Sequence, residues 1–268
     1  MRILYLSQKN VAISKNGIYE GLLYTLINNG HSVTIVCTDS AFQKTRYVNN
    51  VFYDKIEVKV SNQFGVNIIK KGIVFLSLES KIKRAISKYL DNNEYDLILY
   101  ATPPITFCSV IKYCKKKYNC KSYLMLKDIF PQNSVDLEML SKKGIKGLIY
   151  KFFRKKEKAL YKYSDKIGCM SQANIDYLLS HNSIDRNKIE YFPNSIIIKS
   201  YEPKDKRAIL NRLGIDDQKI VFIFGGNLGK PQGIDFLIKG INACQGLQDA
   251  HFLIVGKGTE KKKVDRVL

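Results

Sequence analysis

The feature that most limits what this chain can fold into is a repeated change of period. Short apolar runs at Arg2–Leu6, Val33–Cys37, Ile56–Val60, Leu97–Ala101, Ser122–Leu126 and Ile167–Met170 are mostly rich in β-branched or aromatic residues. Runs of that length and composition suit strands covered on both faces. Between them, Asn16–Asn29, Ile68–Leu90, Ile105–Lys117, Ile145–Tyr163 and Gln172–Ser180 carry apolar residues at helical spacing. Alternation of this kind implies an α/β fold, with a parallel sheet and helices on both faces.

After Pro193-Asn194 the alternation pauses. The polar stretch Lys199–Arg212 reads as a linker with a short helix. The pattern then restarts with a strand at Ile220–Phe224, a helix near Gly233–Cys244 and a strand at His251–Val255, and Gly256-Lys257-Gly258 opens a further turn. Two strands are too few for an independent parallel sheet, so the expected division is a domain at 1–195, a linker at 196–217 and an incomplete second domain at 218–268.

The charge balance narrows the partners. Lys and Arg number 44 against 24 Asp and Glu, a formal +20. Such a surplus suits a polyanion, either nucleic acid or an anionic membrane surface; a generally lysine-rich surface is the plainer reading. No recognition helix or aromatic stacking motif supports nucleic acid. The six cysteines, at 37, 108, 114, 120, 169 and 244, form no C-x-x-C pair and mostly lie in apolar runs. They read as buried thiols in a reducing cytoplasm, not as a zinc site. The opening MRILYLSQ is too short and too soon interrupted for a signal peptide. No apolar run approaches the ~20 residues of a membrane span.

Ligands of open α/β sheets bind beyond the carboxyl ends of the strands, and three such ends carry chemistry here. Ser14-Lys15-Asn16-Gly17 follows the first strand and leads into a helix, with Gly17 letting the backbone turn closely; an ordinary connection reads equally well. Lys127-Asp128 follows the strand SYLML. Asp128 is placed to orient or deprotonate a hydroxyl, or else to cap a helix or pair with Lys127. The glycine-dense Gly225-Gly226-Asn227-Leu228-Gly229-Lys230 opens a helix. Its spacing fits neither a P-loop nor a dinucleotide fingerprint, which leaves a diphosphate met by backbone N–H groups with Lys230 as counter-charge.

A fourth feature is electrostatic. Residues 142–166 hold ten Lys or Arg and two acids. On a helix, Ile145, Leu148, Ile149, Phe152 and Leu160 share a face, while Lys143, Lys151, Arg154, Lys155 and Lys158 fall largely elsewhere. A basic amphipathic helix of this kind lies on anionic lipid or packs its apolar stripe into a core.

Taken together, the Gly17 loop, LKDIFPQNSVDL at 126–137, CMSQANIDYLLSHN at 169–182, YFPNSI at 191–196, FGGNLGKPQGIDFLIKG at 224–240 and VGKG at 255–258 resemble the family 4 retaining glycosyltransferases of bacterial surface polysaccharide synthesis. The resemblance implies a GT-B fold: a complete N-terminal Rossmann-like domain on the acceptor side, plus the start of a second Rossmann-like domain for the donor. It implies transfer of a hexosyl or N-acetylhexosaminyl unit from a nucleotide-sugar, UDP-linked by expectation, to a lipid-linked or glycan acceptor in capsule or O-antigen assembly. No metal or other cofactor is expected, and the location is peripheral, on the inner face of the cytoplasmic membrane.

By the same resemblance, Asp128 lies near the reacting sugar, Gly17 approaches the donor phosphates, and Gly226, Asn227 and Gly229 meet the diphosphate. The family's Arg and Lys in this loop align with Asn227 and Gln232, a departure that Lys230 offsets. A pair of family glutamates falls beyond residue 268, so a truncated form is expected, or one half of an enzyme completed by a second polypeptide. The alternative is a non-catalytic, membrane-docked subunit that binds acceptor for a separate catalytic partner.

Overall fold

The computed structural model describes residues 1–61, 68–103, 105–198 and 205–267; of 68–76 only the helix is described. The chain divides into two compact units, Met1–Ile198 and Lys199–Leu268. Part of the expected linker, 199–204, lies outside the described residues.

Among the described residues the first unit is built on an eight-stranded sheet. In chain order its strands are β1 (Arg2–Ser7), β2 (Ser32–Asp39), β3 (Arg46–Asn49), β4 (Asp54–Lys59), β5 (Leu97–Thr102), β6 (Lys121–Leu126), β7 (Lys166–Cys169) and β8 (Ile189–Tyr191). In space they run β3-β4-β2-β1-β5-β6-β7-β8. Its helices are α1 (Ile18–Asn28), α2 (Ile68–Tyr89), α3 (Cys108–Tyr118), α4 (Gln132–Asp136), α5 (Gly144–Tyr163) and α6 (Gln172–His181).

Alternation along each strand feeds two core layers. Leu4, Leu6, Ile98, Tyr100, Leu124 and Leu126 face the layer beneath α2, α3, α5 and α6. Their neighbours Ile3, Tyr5, Leu99, Ala101 and Met125 face α1 and its Leu23. Each fully buried Leu or Ile contributes roughly 1.5–3 kcal/mol relative to exposure, so a central strand is anchored from both sides.

Two strands depart from the sequence expectation. β3 pairs antiparallel with β4, Arg46 opposite Glu57, so the sheet is not wholly parallel. Its RYVN run is mostly exposed at the sheet edge, and an edge strand needs no continuous apolar pattern. β8 closes the other edge, pairing parallel with β7. The predicted helix at Ile105–Lys117 opens as a 3₁₀ turn, Ile105–Phe107, before α3 begins.

α5 is fastened by a buried charge. Glu157 is 2% exposed. It accepts from the Tyr161 hydroxyl at 2.7 Å and from Arg154 at 2.5 Å. Arg154 also donates to Asn182 Oδ1 and the His181 carbonyl at the end of α6. Burial raises the Glu157 carboxyl above its usual range, opposed by the Tyr161 and Arg154 hydrogen bonds.

The second unit holds α7 (Lys206–Arg212), β9 (Ile220–Asn227), α8 (Ile234–Ala243), β10 (Ala250–Lys257) and α9 (Lys261–Val264). Its described sheet is the parallel pair β9 and β10. Leu228, Ile234 and Val264 form its small core, while Phe222, Ile223 and Val255 are exposed.

Removing Arg154 leaves Glu157 as an unpaired buried carboxylate. Arg154→Ala should cost about 3 kcal/mol near neutral pH. Because the folded carboxyl titrates above its unfolded value, protonation relieves the penalty as pH falls, so the loss should be smaller at pH 5 than at pH 7.5. Denaturant unfolding at the two values measures it; a penalty independent of pH would refute the assignment.

Candidate functional site

Parallel pairing brings the ends of β1, β5 and β6 to one edge of the first unit. Leu6 pairs with Tyr100, and Thr102 with Leu126, so the loops that follow these strands emerge together. The buried Thr102 hydroxyl ties two of them, accepting from the Lys127 N–H at 3.2 Å and donating to the Asp128 carbonyl at 3.3 Å.

Asp128 stands at the surface of this edge, and partial burial of its carboxyl raises its pKa. Burial lowers the pKa of neighbouring Lys127, whose ammonium lies 5.3 Å from the centre of the Phe192 ring. Both neighbours are thus shifted toward their neutral forms. Tyr19, in the first turn of α1, has its phenol pKa raised by burial and then by the charges of Asp128 and Glu20. The α1 start and the loop after β6 therefore share one electrostatic environment.

Gly17 caps α1 with φ +88° and ψ 162°, a combination that side chains other than hydrogen rarely allow. A Cβ there would lie 2.3 Å from a Glu20 carboxylate oxygen. Glu20 is thus folded back over the helix start, where the positive end of the dipole favours an anion.

Beside this edge, a depression of about 510 Å³ opens at the ends of β1, β2 and β4, lined by Gln8, Asn10, Thr38, Asp39 and Ser61 among others. The buried Lys55 ammonium donates to Asn10 Oδ1 at 2.6 Å and pairs with Glu57 at 3.4 Å. Several of the polar groups around the hollow are already bonded within the fold, the Thr38 hydroxyl to the Gln8 carbonyl and Asp39 to the Ala41 N–H.

In the second unit, the expected turn at Gly225–Lys230 is displaced. Gly225, Gly226 and Asn227 continue β9 and pair with Val255, Gly256 and Lys257. The chain reverses only at Leu228 and Gly229, followed by a 3₁₀ turn at Lys230–Gln232 and Gly233 at φ +64° before α8. Asn227 Nδ2 donates to Gln232 Oε1 at 3.2 Å across the turn. Lys230 is exposed at its start.

The glycines here fall into two kinds. A Cβ on Gly256 would sit 2.0 Å from the Gly226 carbonyl oxygen, and one on Gly258 2.3 Å from that of Leu228. Packing therefore demands those two, whereas a Cβ on Gly229 would lie 2.9 Å from Asn227 Nδ2, the end of a side chain that can move aside. At Gly225 and Gly226 a Cβ would meet nothing within 4 Å. Glycine within a strand costs stability, and at Gly225 neither φ nor packing requires it.

Among the candidates, the structure gathers Gly17 and Asp128 on one edge of the first unit, and Gly226, Asn227, Gly229 and Lys230 around the β9–α8 turn of the second. Lys143, Lys151, Lys155 and Lys158 are exposed on α5, whereas Arg154 is turned inward to Glu157. The sequence names Lys127 only as a possible partner of Asp128, and it gives no role to Tyr19, Glu20 or Phe192; adjacency to Gly17 is the available signal for Tyr19 and Glu20. Among the described residues no cluster of three or more His, Cys, Asp or Glu is arranged to hold a metal ion, and no helix is long and apolar enough to cross a membrane.

A Rossmann-like, mostly parallel sheet followed by a second strand–helix–strand unit is the GT-B class of fold. The chain belongs to glycosyltransferase family 4, whose model matches residues 20–199. Among solved structures, the lipopolysaccharide glycosyltransferase WaaG is similar at TM-score 0.65 and 13% identity, over 99% of this chain and 66% of its own. The E. coli trehalose-6-phosphate protein bound with UDP-2-fluoro glucose matches at 0.65 and 12%, over 97% and 66%. Anabaena HepE in complex with UDP and glucose matches at 0.56 and 14%, over 100% and 64%. The chain thus spans about two thirds of each, between 64% and 66%. No curated protein sequence matches it.

Gly17→Ala should lose about 1–3 kcal/mol through its backbone conformation and the displacement of Glu20, whereas Gly225→Ala should be neutral or slightly stabilising. Thermal unfolding of the two variants checks the contrast; equal losses would show that Gly225 also serves packing.

Proposed function

We propose that this chain takes part in transferring a sugar from a nucleotide-sugar, of UDP type, to a hydroxyl of a lipid-linked or glycan acceptor. Family membership supports transferase chemistry, and the UDP and glucose in the HepE complex support the donor class. The observation that carries the reading is the pair of open glycines, Gly225 and Gly226, at the end of β9 beside the Lys230 turn. Open space over both residues, and at Gly225 a bareness that neither φ nor packing requires, lets a bulky anion approach N–H groups, with Lys230 supplying positive charge; at Gly226 the φ of +158° itself calls for glycine.

On the first unit, the hollow by Asn10 and the edge at Asp128 serve the acceptor. In the reaction the acceptor oxygen bonds to the anomeric carbon while the bond from that carbon to the diphosphate oxygen breaks. The leaving diphosphate keeps the electron pair, and electrostatic stabilisation of that group lowers the barrier. Asp128 orients the attacking hydroxyl and takes up its proton, a role suited to a carboxyl whose pKa burial has raised. Retention at the anomeric carbon, a hexosyl or N-acetylhexosaminyl donor and independence of metal complete the reading. The setting is capsule or O-antigen-type assembly at the inner face of the cytoplasmic membrane.

Calorimetry with UDP should show binding by this chain that weakens about tenfold in Lys230→Ala, the scale of one charge-assisted hydrogen bond. In an assay of acceptor-dependent UDP release, Asp128→Ala should reduce turnover by at least about 100-fold with the melting temperature little changed. Absence of UDP binding at millimolar concentration would remove the donor assignment, and unchanged turnover in Asp128→Ala would remove that residue's role.

A further inference from the structure

The apolar stripe of α5 divides in two along the helix. In the second half, Leu160 and Tyr161 are fully in the core. In the first half, Ile145, Leu148, Ile149 and Phe152 repeat at helical spacing but face solvent, with Ile145 81% and Leu148 67% exposed. Met139, just before the helix, is exposed as well. Around this stripe, Lys142, Lys143, Lys146, Lys151 and Lys155 are all exposed. Both acids of the 142–166 segment are engaged elsewhere, Glu157 with Arg154 and Asp165 with Lys115. A groove of about 340 Å³ continues the surface between α3 and α5, with Phe152, Ala159 and Tyr163 as its apolar wall and Lys112 and Lys155 at its rim.

We propose that the first half of α5 docks the protein on an anionic lipid surface, with Ile145, Leu148, Ile149 and Phe152 entering the headgroup–acyl boundary and the surrounding lysines meeting lipid phosphates. The chemistry selects this occupant. A purely apolar partner would leave the lysines unmatched, and a second copy of the chain would set lysine against lysine. A bilayer rich in acidic lipid offers apolar depth ringed by negative charge. The inference stands on the α5 surface alone and does not need the sugar-transfer reading.

Its placement relates the surface to Asp128. β6 and β7 are parallel, so α5, which leads into β7, runs back across the sheet and its first half lies toward the carboxyl edge. Phe130, two residues after Asp128, packs on Phe153 with ring centres 5.0 Å apart. A bilayer on this face would therefore lie beside the edge that carries Asp128.

The two components separate in a co-sedimentation experiment with phosphatidylcholine vesicles, with and without 30% phosphatidylglycerol (about one third acidic lipid, after the acidic-leaflet argument). The protein should pellet with the acidic vesicles, bind neutral ones at least tenfold more weakly, and retain part of its acidic-vesicle binding at high salt, where charges are screened. The triple variant Ile145→Ser, Leu148→Ser, Phe152→Ser keeps the net charge and changes side chains that reach solvent, Phe152 only in part because its ring also packs on Phe153; it should bind at least tenfold more weakly, with an unchanged circular dichroism spectrum. Lys143→Glu with Lys151→Glu should abolish the preference for acidic lipid. Equal binding to both vesicle types, or wild-type binding by the triple serine variant, would overturn the proposal. So would a wild-type dimer that the serine variant loses while vesicle binding stays unchanged, since the stripe would then join two copies of the chain.

Discussion

Parallel pairing of β1 with β5 and of β5 with β6 is the constraint on which the rest of the first unit depends. Strands that run the same way send all their outgoing loops to one edge, and their returns must cross a face of the sheet as helices. Both faces are then covered, and alternate residues of each strand enter different core layers. Ile3 and Tyr5 pack toward α1, while Leu4 and Leu6 pack toward α2 and α3. Rigidity at this centre lets the edge hold unusual features: a positive-φ glycine at 17, a carboxyl and an ammonium both displaced toward neutrality at 127 and 128, and Glu20 folded over a helix start.

The formal charge of +20 takes on meaning once the acids are located. The side chains of Glu57, Glu79, Glu157 and Asp165 are all mostly buried and sit in ion pairs. Glu79, for example, accepts from the Ser109 N–H at the start of α3 and pairs with Lys156. Acids engaged within the sheet (Glu57), between helices (Glu79), within α5 (Glu157) or between α3 and the sheet (Asp165) leave exposed lysines unmatched over much of α5. Each such pair removes one charge of either sign and leaves the net surplus unchanged, but it takes acids away from the stretch of α5 where an apolar stripe also reaches solvent.

The strands of the central sheet were legible because each is covered on both faces and so must be apolar along its length. β1, β5 and β6 lie within a residue or so of where their sequence places them. β3 and β8 were not legible: each has one neighbour, so RYVN and IEY carry no continuous apolar signal. Gly225 and Gly226 were read as a turn because glycine is rare in strands, yet they lie in β9 with ordinary pairing to β10. The glycines the fold requires, Gly256 and Gly258, are set by how closely two backbones approach, which no local pattern reports. Asp128 was found by its position after a buried strand, whereas its relation to Tyr19 depends on loops more than a hundred residues apart in the chain.

The sequence alone determined the layered α/β architecture, because the change of hydrophobic period from strand to helix is a local property of the chain. It also determined which loops leave the carboxyl ends of the strands, since that follows from parallel order. Tertiary structure alone decided which half of α5 is covered, which way Arg154 points and which glycines are left open. Those outcomes depend on what a distant segment places against each residue, and burial of Glu157 or exposure of Leu148 is a property of the neighbour as much as of the residue itself.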